Sequence, residues 1–405
     1  MAKWYEGELT AYAFVDSIEP AEQNNRYSRL NIIFDSASEQ RLEDAEADEN
    51  DYQELYFVRV MTTHKRFYEK FNIDTRYIRE GQWFKIFLKK EPGEPPAWIL
   101  PSNNSFSGPY FRTNIKGFER VTKRMAFGKN NSSVEDTLKS LCSFTPRKFI
   151  KKNSTQFNNL NCDIFIRKVD VGQGCCAAFH VSKDVASEII GYYDVGVPLP
   201  FNMKTFPKVF NEQKNVPNSG FVLLSHWDYD HYFMAMNYCS KLQSLTWYAP
   251  SQKSGPVATT FKKNLGSNLN IVTSAQLTFV GKINYKKSSY AGKDANNSGY
   301  YCVINSHGIK TLLPGDIDYA YISKNDKNDL GALAISHHGG KGSEVPPLCS
   351  KKPSNAVVSY GFGNSYHHPY PSSITAHQNK GWIINATATI TINSVISLRG
   401  DKWLY

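Results

Sequence analysis

The chain has 405 residues, 41% of them hydrophobic and 21% charged, the composition of a globular protein too long for one ordinary core. No run of about 18 apolar residues occurs, which excludes a conventional membrane-spanning helix. The opening MAKWYEGELTAYAF lacks the apolar core of a secretory signal, so a cytoplasmic protein without membrane association is expected. The net charge of +10 is uneven: −6 over residues 1–100, +8 over 101–160 and +8 over 161–405. A basic surface attracts polyanions such as nucleic acid, although a modest excess also serves solubility. Seven cysteines, with no CxxC pair, suggest neither a disulfide framework nor a thiolate zinc site.

In chain order, GELTAYAFVDS, YSRLNIIFDS and ELYFVRVM predict strands, THKRFYEKFNI a helix, and QWFKIFLKK and AWILPS two more strands. Three strands, a helix and two strands is the element order of a five-stranded oligonucleotide-binding-type barrel, so residues 1–100 are read as a small β-rich accessory domain. Its aromatics, Tyr12, Phe14, Tyr56, Phe57, Trp83, Phe84 and Phe87, are either base-stacking platforms or core; the negative charge favours core or a protein-binding role. The acidic stretch 39–54 reads as solvated surface. Residues 101–160, rich in Ser, Asn, Lys and Arg, read as a basic linker carrying one helix, VEDTLKSLCSF.

From 161 to 405 the pattern becomes short apolar runs ending in polar or glycine-bearing turns, with helix-compatible stretches between them. This is an α/β layout. Four strand ends carry metal-ligand residue types: His226, Asp228, Asp230 and His231 after FVLLS; Asp316 after TLLPG; His337 and His338 after ALAIS; His367 and His368 after VVSYGFGNSY. Open α/β sheets place their chemistry at the carboxyl ends of strands. Imidazoles and carboxylates converging there supply what hydrolysis at neutral pH needs, two cations about 4 Å apart that activate water and polarise the bond under attack. Asn364, Ser365 and Tyr366 offer donors beside His368, as an anionic transition state requires; Asn364, Tyr366 and His367 are therefore the candidate substrate-binding residues. The glycines of DVGQG (170–174) are read as a tight turn rather than a phosphate cradle.

SHWDYDH resembles the His-x-(His/Asp)-x-Asp-His signature of metallo-β-lactamase-fold hydrolases. With DVGQG, YDVG, NNSGYYCVI, LLPGD, SHHGG and VVSYGFGNSYHHP in that order, residues 161–395 resemble the competence-protein (ComEC-like) branch, whose members are linked to DNA degradation. The resemblance implies an αββα sandwich of two sheets flanked by helices. It further implies that His226 and Asp228 bind one metal, Asp230 and His231 the other, that Asp316 bridges both, and that His338, or its neighbour His337, completes the second site. Asp170 and Asp194 match aspartates that order the surrounding loops, with His337 in the same supporting position if His338 is the ligand. His368 matches a histidine over the site that binds or protonates the departing phosphate oxygen, so catalysis is expected to depend on Asp230 and His368.

Asp228 stands where zinc-dependent lactamases have histidine, which shifts the expected ions toward Mn²⁺ or Mg²⁺, with Zn²⁺ an alternative. Cys175 replaces a usual acidic residue, and HYFMAM lacks the glycine pair that often follows. The expected activity is a phosphodiesterase, a nuclease acting on DNA or RNA through a dinuclear site and a metal-generated hydroxide. The alternatives are a hydrolase of a small nucleotide or ester, and a hydrolase subunit docked to a protein partner through the acidic N-terminal domain.

Overall fold

A computed structural model describes residues 7–20, 27–44, 47–91, 93–102, 106, 108–122, 125–127, 132–156, 162–184, 188–392 and 395–405. It divides into two compact units: Met1–Thr145 with Lys253–Gly266, and Pro146–Gln252 with Ser267–Tyr405. Among the described residues no helix is long and apolar enough to cross a membrane.

The first unit is a closed barrel of six strands in the spatial order Glu8–Pro20, Arg29–Ser38, Leu55–Thr63, Pro96–Pro101, Phe111–Arg120, Trp83–Lys89. Period-two alternation in each strand turns one set of side chains inward. Ala11, Ala13, Ile32, Phe34, Val58, Val60, Ile86, Ile99 and Ile115 form the core. The helix His64–Phe71 follows the third strand directly, capped by the Thr63 side chain and ended by Asn72 in the left-handed region, and it adds Phe67 to that core. Of the seven aromatics, Tyr12, Phe14, Tyr56, Phe57 and Phe84 are buried and Trp83 and Phe87 half-buried.

The linker expected over 101–160 is a correction. Its first part supplies the sixth barrel strand and the helix Val134–Leu141. Its last part supplies two short edge strands, Lys148–Ile150 and Ser154–Gln156, to the second unit. Phe111–Arg120 buries only Thr113, Asn114, Ile115 and Phe118, so polar outward positions disguise it as linker. Most of the basic cluster KRMAFGKNNSS lies outside the described residues.

The first unit also holds a helix distant in sequence, Pro256–Leu265. Asp35, on the outer surface of the second barrel strand, accepts hydrogen bonds from the Val257 and Ala258 N–H groups at 2.8 and 3.1 Å and so satisfies two of that helix's open donors. A side chain at Gly255 would lie 2.3 Å from the Asp35 carboxyl carbon, so glycine is what allows this approach.

The second unit contains two mixed eight-stranded sheets. One runs Ser154–Gln156, Gln276–Phe279, Ile283–Lys287, Tyr300–Ser306, Ile309–Leu313, Leu330–Ala334, Asn355–Val358, Ile383–Ala386. The other runs Lys402–Trp403, Phe165–Lys168, Cys176–His180, Ile189–Val195, Phe221–Leu223, Thr246–Pro250, Leu269–Val272, Lys148–Ile150. A single apolar cluster draws Phe179, Tyr193, Leu223 and Tyr248 from the second sheet and Phe279, Ile283, Tyr285, Tyr300 and Leu313 from the first. Ile309–Leu313, Leu330–Ala334 and Asn355–Val358 are mutually parallel, as are Ile189–Val195 and Phe221–Leu223. Their carboxyl ends therefore open on one side of each sheet, where the metal-ligand residue types lie.

Candidate metal centre

Phe221–Leu223 is buried along its length, and the chain leaves it through Ser225 to His226. Asp230 and His231 lie in the first turn of the helix Tyr229–Asn237, which begins shortly after the strand end, with Asp228 as its N-cap residue. YDHYFMAMN contains no glycine or proline to delay it. The backbone N–H of Cys175 donates to the Asp230 carbonyl at 2.9 Å, and that of Gly196 donates to the Cys175 carbonyl at 2.8 Å. The DVGQG and YDVG turns thus hold the first helical turn from behind.

Three segments, at 226–231, 316 and 338, bring their ligand-type atoms together. His231 Nε2 lies 3.3 Å from Asp316 Oδ1 and 3.9 Å from Asp230 Oδ1, His338 Nε2 lies 3.4 Å from Asp230 Oδ2, and His226 Nε2 lies 3.4 Å from Asp228 Oδ2. Two three-residue groups result, His226–His231–Asp316 and Asp230–His231–His338, each with donor atoms within 4.8 Å of one another. Among the described residues, the Nε2 atoms of His226, His231 and His338 are buried without a hydrogen-bond partner. Buried polar atoms are nearly always paired. Two ligand atoms each about 2.1 Å from one cation at a tetrahedral angle stand about 3.4 Å apart, close to the N···O separations here. The donor set fits divalent cations.

The opposite imidazole nitrogens are tied to protein, which fixes the tautomers and the ring directions. His231 Nδ1 meets Asp194 Oδ2 at 2.9 Å, His226 Nδ1 meets Ser225 Oγ at 2.9 Å, and His338 Nδ1 donates to the Ser359 carbonyl at 2.7 Å. Asp194 also accepts from the Ser225 N–H at 2.7 Å. Burial opposes charge on His231, but the Asp316 and Asp194 carboxylates outweigh it and hold its pKa well above the usual value. Replacing Asp194 by asparagine should therefore weaken metal affinity about 10- to 100-fold while the fold survives; titration of the apo protein with Mn²⁺ measures this, and unchanged affinity would refute it.

A third group, Cys175, Asp194 and His231, also lies within 4.8 Å, but it faces the side of His231 already bonded to Asp194. Burial pushes the Cys175 thiol up to about 11, and Lys168 Nζ contacts its sulfur at 3.2 Å. Cys175 is therefore a neutral thiol behind the centre.

His337 and His338 both adopt left-handed backbone, at φ 50° and 53°. His337 Nε2 approaches Asp316 Oδ2 at 3.7 Å and its Nδ1 meets the Lys341 carbonyl; it belongs to neither three-residue group about His231. The loop's position depends on Ser336, whose Oγ donates to the Ile317 carbonyl at 2.7 Å and whose N–H donates to Tyr319 Oη at 3.1 Å. Tyr319 Oη meets His377 Nε2 at 3.0 Å, and His377 Nδ1 donates to the Ser373 carbonyl.

Burial holds His377 neutral, with a pKa lowered to about 4. The unfolded chain binds this proton near pH 6.5 and the folded chain does not. The stability His377 contributes is thus present above pH 6.5 and lost as pH falls toward 4. Between pH 7 and 5 the second unit should lose about 2 kcal/mol through this residue. Denaturant titrations of wild type and His377→Gln measure it, and equal pH slopes in the two would refute the assignment.

Asp170 belongs to none of the three candidate metal-holding groups among the described residues. It pairs with Arg399 through Nε at 2.6 Å and Nη2 at 3.0 Å and accepts from the Gly172 N–H at 3.1 Å, which shapes the DVGQG turn. Gly172 in that turn has φ +74°. Asn364 is engaged within its own loop: Oδ1 accepts from the Tyr366 and His368 N–H groups, and Nδ2 donates to the Gly361 and His368 carbonyls. Tyr366 hydrogen-bonds Tyr229, the residue between Asp228 and Asp230. His367 is exposed. His368 is buried, with its ring 5.5 Å from that of His337 and 6.2 Å from that of His338.

Ser225, Tyr229 and Asn296 were given no role by the sequence. Asn296 is buried, and among the described residues its Oδ1 has no hydrogen-bond partner. Its loop is tied toward Trp227 through Gln252, which bonds the Ala295 carbonyl, and toward Asp318 through Asn297. Its position in NNSGYYCVI was the available signal.

No protein-family model matches the chain. Over 82 residues, 18% of this chain and 10% of the other protein, it is 32% identical to ComE operon protein 3 of Bacillus subtilis (strain 168). The match thus spans about a tenth of that relative.

Proposed function

We propose that this chain is a metal-dependent phosphodiesterase, a nuclease hydrolysing DNA, whose second unit is a metallo-β-lactamase-type sandwich of the ComEC-like branch. The supporting observation is the convergence of three buried imidazole nitrogens and the carboxylates of Asp228, Asp230 and Asp316 at the spacing of shared cations. The partial likeness to a ComE operon protein agrees with that branch. His226, Asp228 and Asp316 would hold one ion, and Asp230, His231 and His338 the other, with Asp316 also facing His231. When bound, such ions, Mn²⁺ or Zn²⁺ with Mg²⁺ as the harder alternative, supply a nucleophile at neutral pH and offset the charge of the phosphodiester.

The protein's own groups do the rest. Asp194, Ser225 and Ser359 aim the imidazoles, so little reorganisation is needed during reaction. Burial and the neighbouring His337 and His338 push the His368 pKa well below the usual value, with Asp316 opposing. Neutral His368 stands beside the cluster as a hydrogen-bond donor to the departing oxygen.

The test is cleavage of labelled linear duplex DNA, single-stranded DNA and RNA by the purified chain in Mn²⁺, Mg²⁺, Zn²⁺ or EDTA. DNA cleavage that needs a divalent ion and stops in EDTA is expected. A folded chain that binds metal yet cleaves no nucleic acid would overturn the nuclease reading and leave a small phosphodiester as substrate.

A further inference from the structure

A cavity of about 580 Å³ opens beside His368, lined by Tyr360, Phe362, His367, Ile374, Thr375 and Ile390 among others. His368 connects it to the candidate metal centre: it is one of the lining residues, and its ring lies 5.5 Å from that of His337 and 6.2 Å from that of His338. The volume lies within the range of small-molecule sites.

Phe362 is 73% exposed at this cavity, and it is not mounted on slack chain. The Asn364 N–H and its Nδ2 both bond the Gly361 carbonyl, at 3.1 and 2.9 Å, and Gly363 turns the chain at φ +71°. A single exposed apolar residue is ordinary. A rigidly carried aromatic ring bordering a cavity one imidazole away from a phosphodiester-binding centre is a preformed stacking surface.

We propose that this cavity is a nucleobase subsite, in which the base of the nucleotide beside the scissile phosphate stacks on Phe362. The assignment rests on the phosphodiesterase reading. Asn364 is engaged in its own loop, so the lining offers no bidentate partner for a base edge, leaving the His367 imidazole and the Thr375 hydroxyl as polar contacts. Recognition is then by stacking, tolerant of sequence, and purines bind better than pyrimidines because they offer more ring area.

The test is calorimetric titration with dAMP, dGMP, dCMP, dTMP, deoxyribose 5-phosphate and inorganic phosphate, in Mn²⁺ and in EDTA. The proteins are wild type, Phe362→Ala and Thr375→Trp, the last placing a large ring in the cavity. Mononucleotides should bind at least tenfold more tightly than deoxyribose 5-phosphate, with dAMP and dGMP ahead. Phe362→Ala should weaken them by about 5- to 150-fold, the range of one base–aromatic stack, without changing inorganic phosphate binding, and Thr375→Trp should abolish the base-dependent gain. Equal binding of dAMP and deoxyribose 5-phosphate, or wild-type affinity for dAMP in Phe362→Ala, would overturn the subsite. Nucleic-acid cleavage by the same preparations separates the two readings: cleavage without base-dependent binding removes the subsite alone, and base-dependent binding without cleavage removes the nuclease alone.

Discussion

Replacing Asp230 by alanine should lower metal-dependent DNA cleavage by roughly 10³-fold or more, about 4 kcal/mol of transition-state stabilisation, and remove one of two bound ions. The carboxylate has two directed neighbours, His338 Nε2 at 3.4 Å and His231 Nε2 at 3.9 Å. Burial alone would raise its pKa, yet His338 and His231 hold it below the usual carboxylate value. Without it the Asp230–His231–His338 group keeps two imidazoles and no anion, a poor site for a hard divalent cation.

The fold should survive the change, because what ties this residue to the DVGQG turn is its backbone carbonyl, the acceptor for the Cys175 N–H. Circular dichroism, metal content by mass spectrometry and cleavage of labelled duplex measure the three consequences. Wild-type cleavage by a variant holding two ions would show that the chemistry lies elsewhere.

The cluster of imidazoles and carboxylates was legible because SHWDYDH, LLPGD and SHHGG crowd strand ends with those residue types openly. The barrel strands were legible as continuous apolar runs, as in TAYAFVD and RLNIIFD, because nearly every residue of both is buried. Three features were hidden for physical reasons. Phe111–Arg120 closes the barrel with only two apolar side chains buried, Ile115 and Phe118, so its alternation is faint. Pro256–Leu265 joins the barrel's unit through Asp35, a contact across more than 220 positions that no local pattern encodes. The helix Tyr229–Asn237 was hidden because the strand end carrying SHWDYDH runs into its first turn, which presents Asp230 and His231 while its remaining turns bury Phe233 and Met234. The choice between His337 and His338 depends on ring directions set by partners such as the Ser359 carbonyl, which lies 21 residues away.

Gly196→Ala should be among the most damaging single-methyl changes in the chain. An added Cβ would lie 1.4 Å from the Asp230 carbonyl oxygen, 2.1 Å from its carbon and 2.7 Å from the His231 nitrogen. All three are backbone atoms, so no side chain can rotate away. The turn carrying Asp228, Asp230 and His231 must retreat by more than about 1.5 Å, and both carboxylates and the His231 imidazole move with it. A loss of about 3 kcal/mol in the second unit is expected, at the upper end for overpacking, together with loss of both ions, since a displacement of about 1 Å already ruins ligand geometry.

Gly308→Ala provides the comparison. Gly308 has φ +69° with nothing within 4 Å of an added Cβ, so only left-handed strain of about 1 kcal/mol applies and metal content should not change. Denaturant unfolding and metal stoichiometry of the two variants, run side by side, separate backbone strain from the clash. If Gly196→Ala were no worse than Gly308→Ala and still held two ions, the first helical turn would not be seated on Gly196. The YDVG turn would then no longer explain how Asp230 and His231 are held in place.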